Sequence, residues 1–140
     1  MHYLDTSVLV AFYLPEPLNA QVQNLFGELT EVAVSGLSEV EFHSAIARRV
    51  RMGELRKDDA LRVLSQFRCH VDDHLYSMVA IEQRDYMLAR DWLAAFHTPL
   101  RTLDALHLAA AFASKCTIVT ADKVLADSAT HFGVKCRFIR

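Results

Sequence analysis

The stretch TIVTADKVLADSATHFGVKCRFI, residues 117–139, reads as strand, helix, strand. Thr117–Thr120 is a short β-branched run. Asp122–His131 carries apolar residues at helical spacing, and Val134–Ile139 is β-rich again. A helix between two strands returns the chain to the same end of a sheet, so the two strands should run parallel.

Working outward, the same alternation recurs. Met1–Leu4 is short and apolar and is ended by Asp5-Thr6-Ser7. A helical pattern follows through Val8, Leu9, Phe12 and Tyr13 and is stopped by Pro15 and Pro17. Asn19–Leu29 reads as an amphipathic helix with Val22, Leu25, Phe26 and Leu29 on one face, and Glu31–Ser35 as a strand. Ser38–Val50 returns to helical spacing and ends near Gly53. Asp58 is placed to cap another helix with Leu61, Leu64 and Phe67 inside, and Cys69–Leu75 reads as a short strand. Ile81–Phe96 is a helix, His97–Arg101 with Pro99 a break, and Thr102–Ser114 a helix apolar enough to be largely buried. No hairpin signal, repeat or linker is present. The expectation is a single domain over residues 1–140 of the α/β class, with a central, mainly parallel sheet and helices on both faces.

Hydrophobic residues make up 52% of the 140 and charged residues 23%, which predicts a packed core rather than disorder. With no charged-then-apolar leader, and no apolar run near the ~18–20 residues of a membrane span, the chain is expected to be soluble and cytoplasmic. Cys69, Cys116 and Cys136 are widely spaced and odd in number, which argues against a disulfide framework. A net charge of −2 argues against capture of nucleic acid by bulk charge. A divalent ion in an acidic site can still recruit a phosphate.

The acids that fall at strand ends carry the functional reading. Sites in parallel sheets form beyond the carboxyl ends of the strands. Asp5 and Asp122 each lie where a strand gives way to a helix, and Glu41 lies in the first turns of the helix after Glu31–Ser35. Asp104 is near the start of the helix after Pro99; whether it joins the others depends on where that helix start points. Gathered carboxylates repel one another unless a cation lies between them, and as hard oxygen donors they suit Mg²⁺ or Mn²⁺. Each acid also fits a structural role. Asp5 and Asp122 are natural helix caps, Ser38-x-x-Glu41 fits a capping box, and Asp104 follows Thr102 in a first turn.

Four segments then carry a resemblance. Tyr3-Leu4-Asp5-Thr6-Ser7-Val8-Leu9, Ser35-Gly36-Leu37-Ser38-Glu39-Val40-Glu41-Phe42, Leu103-Asp104-Ala105-Leu106-His107-Leu108-Ala109-Ala110-Ala111 and Ile118-Val119-Thr120-Ala121-Asp122-Lys123 resemble, in order, the four motifs of PIN-domain proteins. The likeness is in particular to VapC-type toxins of toxin–antitoxin pairs, and it spans nearly the whole chain. The resemblance implies a three-layer α/β/α fold and an endoribonuclease dependent on Mg²⁺ or Mn²⁺. It puts the metal-site acids on Asp5, Glu41, Asp104 and Asp122, with Thr6, Ser7 and Thr120 beside them in support. It further implies an RNA substrate, a cognate antitoxin and a homodimer. Glu39 competes with Glu41 for the second position; the family register favours Glu41, whereas helical periodicity leaves both open.

Arg48, Arg49 and Arg51 follow Glu41 on one helix, where they could grip RNA phosphates or complete a solvated helix end. His70-Val71-Asp72-Asp73-His74 has metal-like composition but lacks the H-E-x-x-H pattern and reads as a polar surface loop. His107, three residues after Asp104, reads as a satisfied core histidine. Ser7 stands where haloacid-dehalogenase-like phosphatases need a second acid. Asp5 has no acidic neighbour of the receiver-domain kind, and no P-loop or G-x-G-x-x-G is present. The remaining alternative is a catalytically inactive PIN-like module that binds RNA or protein.

Overall fold

The computed structural model describes residues 1–140. Strands β1 (His2–Leu4), β2 (Val32–Ser35), β3 (Ser77–Val79), β4 (Thr117–Thr120) and β5 (Cys136–Phe138) form one sheet. Its order is β3-β2-β1-β4-β5, and every neighbouring pair is parallel. Seven helices connect the strands: α1 (Thr6–Tyr13), α2 (Asn19–Glu28), α3 (Gly36–Arg51), α4 (Lys57–Asp72), α5 (Gln83–Ala94), α6 (Thr102–Ala113) and α7 (Lys123–His131).

The period-2 alternation of strand side chains divides the core in two. Leu4, Val34 and Val119 point to one face and pack with α1 to α4. Tyr3, Ala33 and Ile118 point to the other and pack with α5 to α7. The result is the expected three-layer α/β/α arrangement, with no strand antiparallel to its neighbour. Helix α6 is buried along Ala105–Ala111, as its apolar composition requires. All three cysteines are free, and no helix is long and apolar enough to cross a membrane.

Several local expectations are corrected. Cys69–Leu75 is not a strand: Cys69–Asp72 is the last turn of α4, and the third strand is Ser77–Val79. The helical face simply continues, because Val71 lies four residues after the fully buried Phe67 and packs into the same core. Asp58 does not cap α4. The cap position is Arg56, and Asp58 sits in the first turn, where an acid meets the positive end of the helix dipole. Leu61, expected inside, is exposed. Helix α3 begins at Gly36, two residues before Ser38, with Ser35 as its cap.

The strand order positions the site. From β1 the chain crosses to β2 on one side, and from β4 it crosses to β5 on the other. A crevice opens where neighbouring strands send their connections in opposite directions, here beyond the carboxyl ends of β1 and β4.

Candidate active site

Asp5 is the first residue past β1 and Asp122 the second past β4, so the two acids flank this crevice. The strand ends are tied together, because the Asp5 N–H donates to the Val119 carbonyl at 3.0 Å. Asp5 is 6% exposed and caps α1. Its Oδ2 accepts from Ser7 Oγ at 2.6 Å and from Thr120 Oγ1 at 2.9 Å, leaving Oδ1 without a protein donor. Thr120 Oγ1 also accepts the Asp122 N–H at 2.9 Å, and Ser7 Oγ accepts the Ala121 N–H at 3.0 Å. The two hydroxyls thus stitch the β1–α1 turn to the β4–α7 turn. Asp122 caps α7 through Oδ1, which accepts the Leu125 N–H at 3.1 Å. For both aspartates one carboxylate oxygen serves the helix cap and the other is spare.

Asp104 sits in the first turn of α6, half-buried. Burial pushes its pKa up to about 6, the nearby Asp5 and Asp122 push in the same direction, His107 opposes them, and Glu41 adds a smaller push. The helix start left open by the sequence therefore points at the other acids. An opposing field of this kind is what carboxylates produce when they crowd one point.

Glu41 lies in the second turn of α3 with its side chain 22% exposed. Its Oε1 accepts from Thr6 Oγ1 at 3.3 Å and is hydrogen-bonded to His107 Nε2. The Ser38–Glu41 capping box does not form. The box is Ser35 with Ser38: the Ser38 N–H donates to Ser35 Oγ at 3.2 Å and the Ser35 N–H to Ser38 Oγ at 3.1 Å. With the box at Ser35 and Ser38, Glu41 takes no part in capping, and its carboxylate meets Thr6 and His107 instead. Glu39 is not among the groups that act on Asp104.

The structure thus brings Asp5, Asp104, Asp122 and Glu41 to one edge of the sheet, with Thr6, Ser7 and Thr120 bonded to them or between them. Arg49 is paired with Glu16 and Glu54, whereas Arg48 is exposed. His70 is bonded through Nδ1 to the Tyr13 hydroxyl, away from the acids. His107 is fully buried and satisfied, yet it also reaches Glu41, a link not visible in the sequence. A histidine inside an otherwise apolar buried helix was the signal for it.

No three His, Cys, Asp or Glu side chains are drawn together tightly enough to hold an ion as they stand. The donor set nevertheless fits a hard divalent cation. It consists of carboxylate oxygens, with one oxygen of each of Asp5, Asp122 and Glu41 free of protein donors, and the charge on Asp104 is opposed by its neighbours in a way that a cation would relieve.

A family model described as PIN domain matches residues 2–130. No curated protein matches the chain in sequence. Solved structures do match in fold. FitAcB from Neisseria gonorrhoeae has a TM-score of 0.68 at 17% identity, over 99% of this chain and 97% of that one. VapC20 from Mycobacterium tuberculosis, described as a sarcin-ricin loop cleaving toxin, has 0.71 at 13% identity over 91% and 95%. A toxin–antitoxin complex from Klebsiella pneumoniae has 0.65 at 14% identity over 90% and 91%.

Proposed function

Because this chain belongs to the PIN-domain family, we propose that it is an endoribonuclease dependent on Mg²⁺ or Mn²⁺ and the toxin of a toxin–antitoxin pair. The observation that carries this reading is the gathering of Asp5, Asp104, Asp122 and Glu41 beyond the ends of β1 and β4, where the other acids oppose the charge on Asp104. A divalent ion held there would supply positive charge to the scissile phosphate and lower the pKa of a bound water. Asp5, Asp122 and Asp104 would hold it, Asp104 being the carboxylate most in need of a counter-charge. Glu41, anchored through Oε1, keeps its other oxygen to bind the ion or orient the attacking water. Thr120 and Ser7 fix the Asp5 carboxylate, and Thr6 fixes that of Glu41. Arg48 and Arg49 are proposed to meet the RNA backbone.

The fold likeness to a sarcin-ricin loop cleaving toxin and to a toxin–antitoxin complex supports an RNA substrate and an antitoxin partner. A homodimer is proposed on the same family grounds. The competing reading, a module that binds RNA or protein without turnover, has no use for four converging acids.

Cleavage of a defined RNA panel with Mg²⁺ or Mn²⁺ tests the proposal. The wild type should cleave, while excess EDTA or the substitution Asp5→Asn should abolish cleavage with the fold intact. Cleavage that persists in EDTA or in Asp5→Asn overturns the mechanism. RNA or protein binding with no metal-dependent turnover establishes the competing reading.

A further inference from the structure

Behind Glu41 runs a line of polar side chains inside the core. Tyr3 on β1 and His107 on α6 are both fully buried, as are Ser35 and Ser38 at the start of α3. Burying hydroxyl and imidazole groups is costly unless each is matched. Here each is matched. His107 Nε2 faces a carboxylate oxygen of Glu41, so Nε2 carries the hydrogen and donates it. His107 Nδ1 lies 2.6 Å from the Tyr3 hydroxyl and accepts its hydrogen. The Tyr3 oxygen then accepts from Ser35 Oγ at 2.7 Å, with Ser38 Oγ at 3.3 Å.

The line runs outward, from the buried capping box of α3 to a partly exposed carboxylate. A cross-link meant only to hold β1 to α6 would be complete at His107. This one continues to Glu41, where His107 and Thr6 converge on the same oxygen. Two donors on Oε1 leave the carboxylate one orientation and leave Oε2 free.

We propose that His107, held by Tyr3, is a positioning residue that fixes the Glu41 carboxylate toward the divalent-ion site. Ion affinity then depends on a hydrogen bond made wholly inside the core. The inference rests on the reading of the four acids as a metal site.

Mn²⁺ titration calorimetry on the full chain, with thermal melting alongside, tests it. His107→Leu and Tyr3→Phe should weaken Mn²⁺ binding by about 10- to 100-fold, as loss of the groups that orient metal ligands generally does. His107→Gln places an amide N–H near the position of Nε2 and should recover most of the loss. In a Glu41→Gln background none of the three should have a further effect. If His107→Leu fails to fold, Tyr3→Phe, which keeps the ring, decides. Variants that melt earlier but bind Mn²⁺ as the wild type does overturn the proposal, and so does an equal loss in the Glu41→Gln background. A wild type that cleaves RNA and binds Mn²⁺ while the variants match it removes the positioning role alone. A wild type that binds no Mn²⁺ removes the metal-site reading and this inference with it.

Discussion

Asp104 is a carboxylate that the fold holds against its charge, and this has a thermodynamic consequence. Its pKa rises from 3.8 to about 6 on folding, first by burial and then by Asp5 and Asp122. Between those values the folded state binds more protons than the unfolded one. Stability contributed at this residue therefore falls as pH rises through the window, and the penalty is complete above it. Thermal melting of the metal-free protein should show Asp104→Asn and wild type equal near pH 4 and the variant more stable near pH 7. Added Mn²⁺ should close the gap by stabilising the wild type. Parallel pH curves would refute the assignment. Thr120→Val tests a neighbouring contact. It strips an acceptor from the Asp122 N–H and a donor from Asp5, and leaving such a group unpaired costs about 1–3 kcal/mol. Urea unfolding should show that loss, and cleavage should fall by about 10- to 100-fold. Asp5 and Asp122 were legible because an acid that ends a strand also caps a helix. Helical spacing alone does not choose Glu41 over Glu39, which only the family register favours, because the direction of each side chain depends on where α3 begins. That is set by the Ser35–Ser38 box, a long-range matter since Ser35 is also held by Tyr3.

Helix α3 joins capping, chemistry and charge on one rod. Arg48 follows Glu41 by seven residues, nearly two full turns, so it lies on the same face about 10 Å further along. That is a reach of one or two phosphates. Arg48→Ala should flatten the salt dependence of RNA binding by about 0.7 in log–log slope, the share of one phosphate contact on a single strand. Arg49→Ala should do less, since Glu16 and Glu54 already occupy its guanidinium. Filter binding across a salt series separates the two, and an unchanged slope for Arg48→Ala would count against a phosphate contact. At this scale most elements were readable from apolar spacing, α6 above all. The junction of α4 and β3 was not. Val71 and Cys69 suit a strand as well as a helix, and only the packing of Val71 beside Phe67 decides.

For the whole molecule, parallel strands followed from helical connections between every pair of strands. The order of the strands did not. Nothing local in Thr117–Thr120 says that it inserts beside β1 rather than at an edge, yet that insertion creates the crevice and joins Asp5 to Asp122. Asp5 and Thr120 are bonded across 115 positions of sequence. A chain emerging from the ribosome therefore presents β1 early and must wait for β4 before the acids can meet. Until then β1 lacks its β4 neighbour, which leaves a row of unpaired backbone groups open. A copy that stops short of β4 lacks Thr120 and Asp122 beside Asp5 and keeps that strand edge open. The acid cluster is therefore assembled only once β4 has paired with β1.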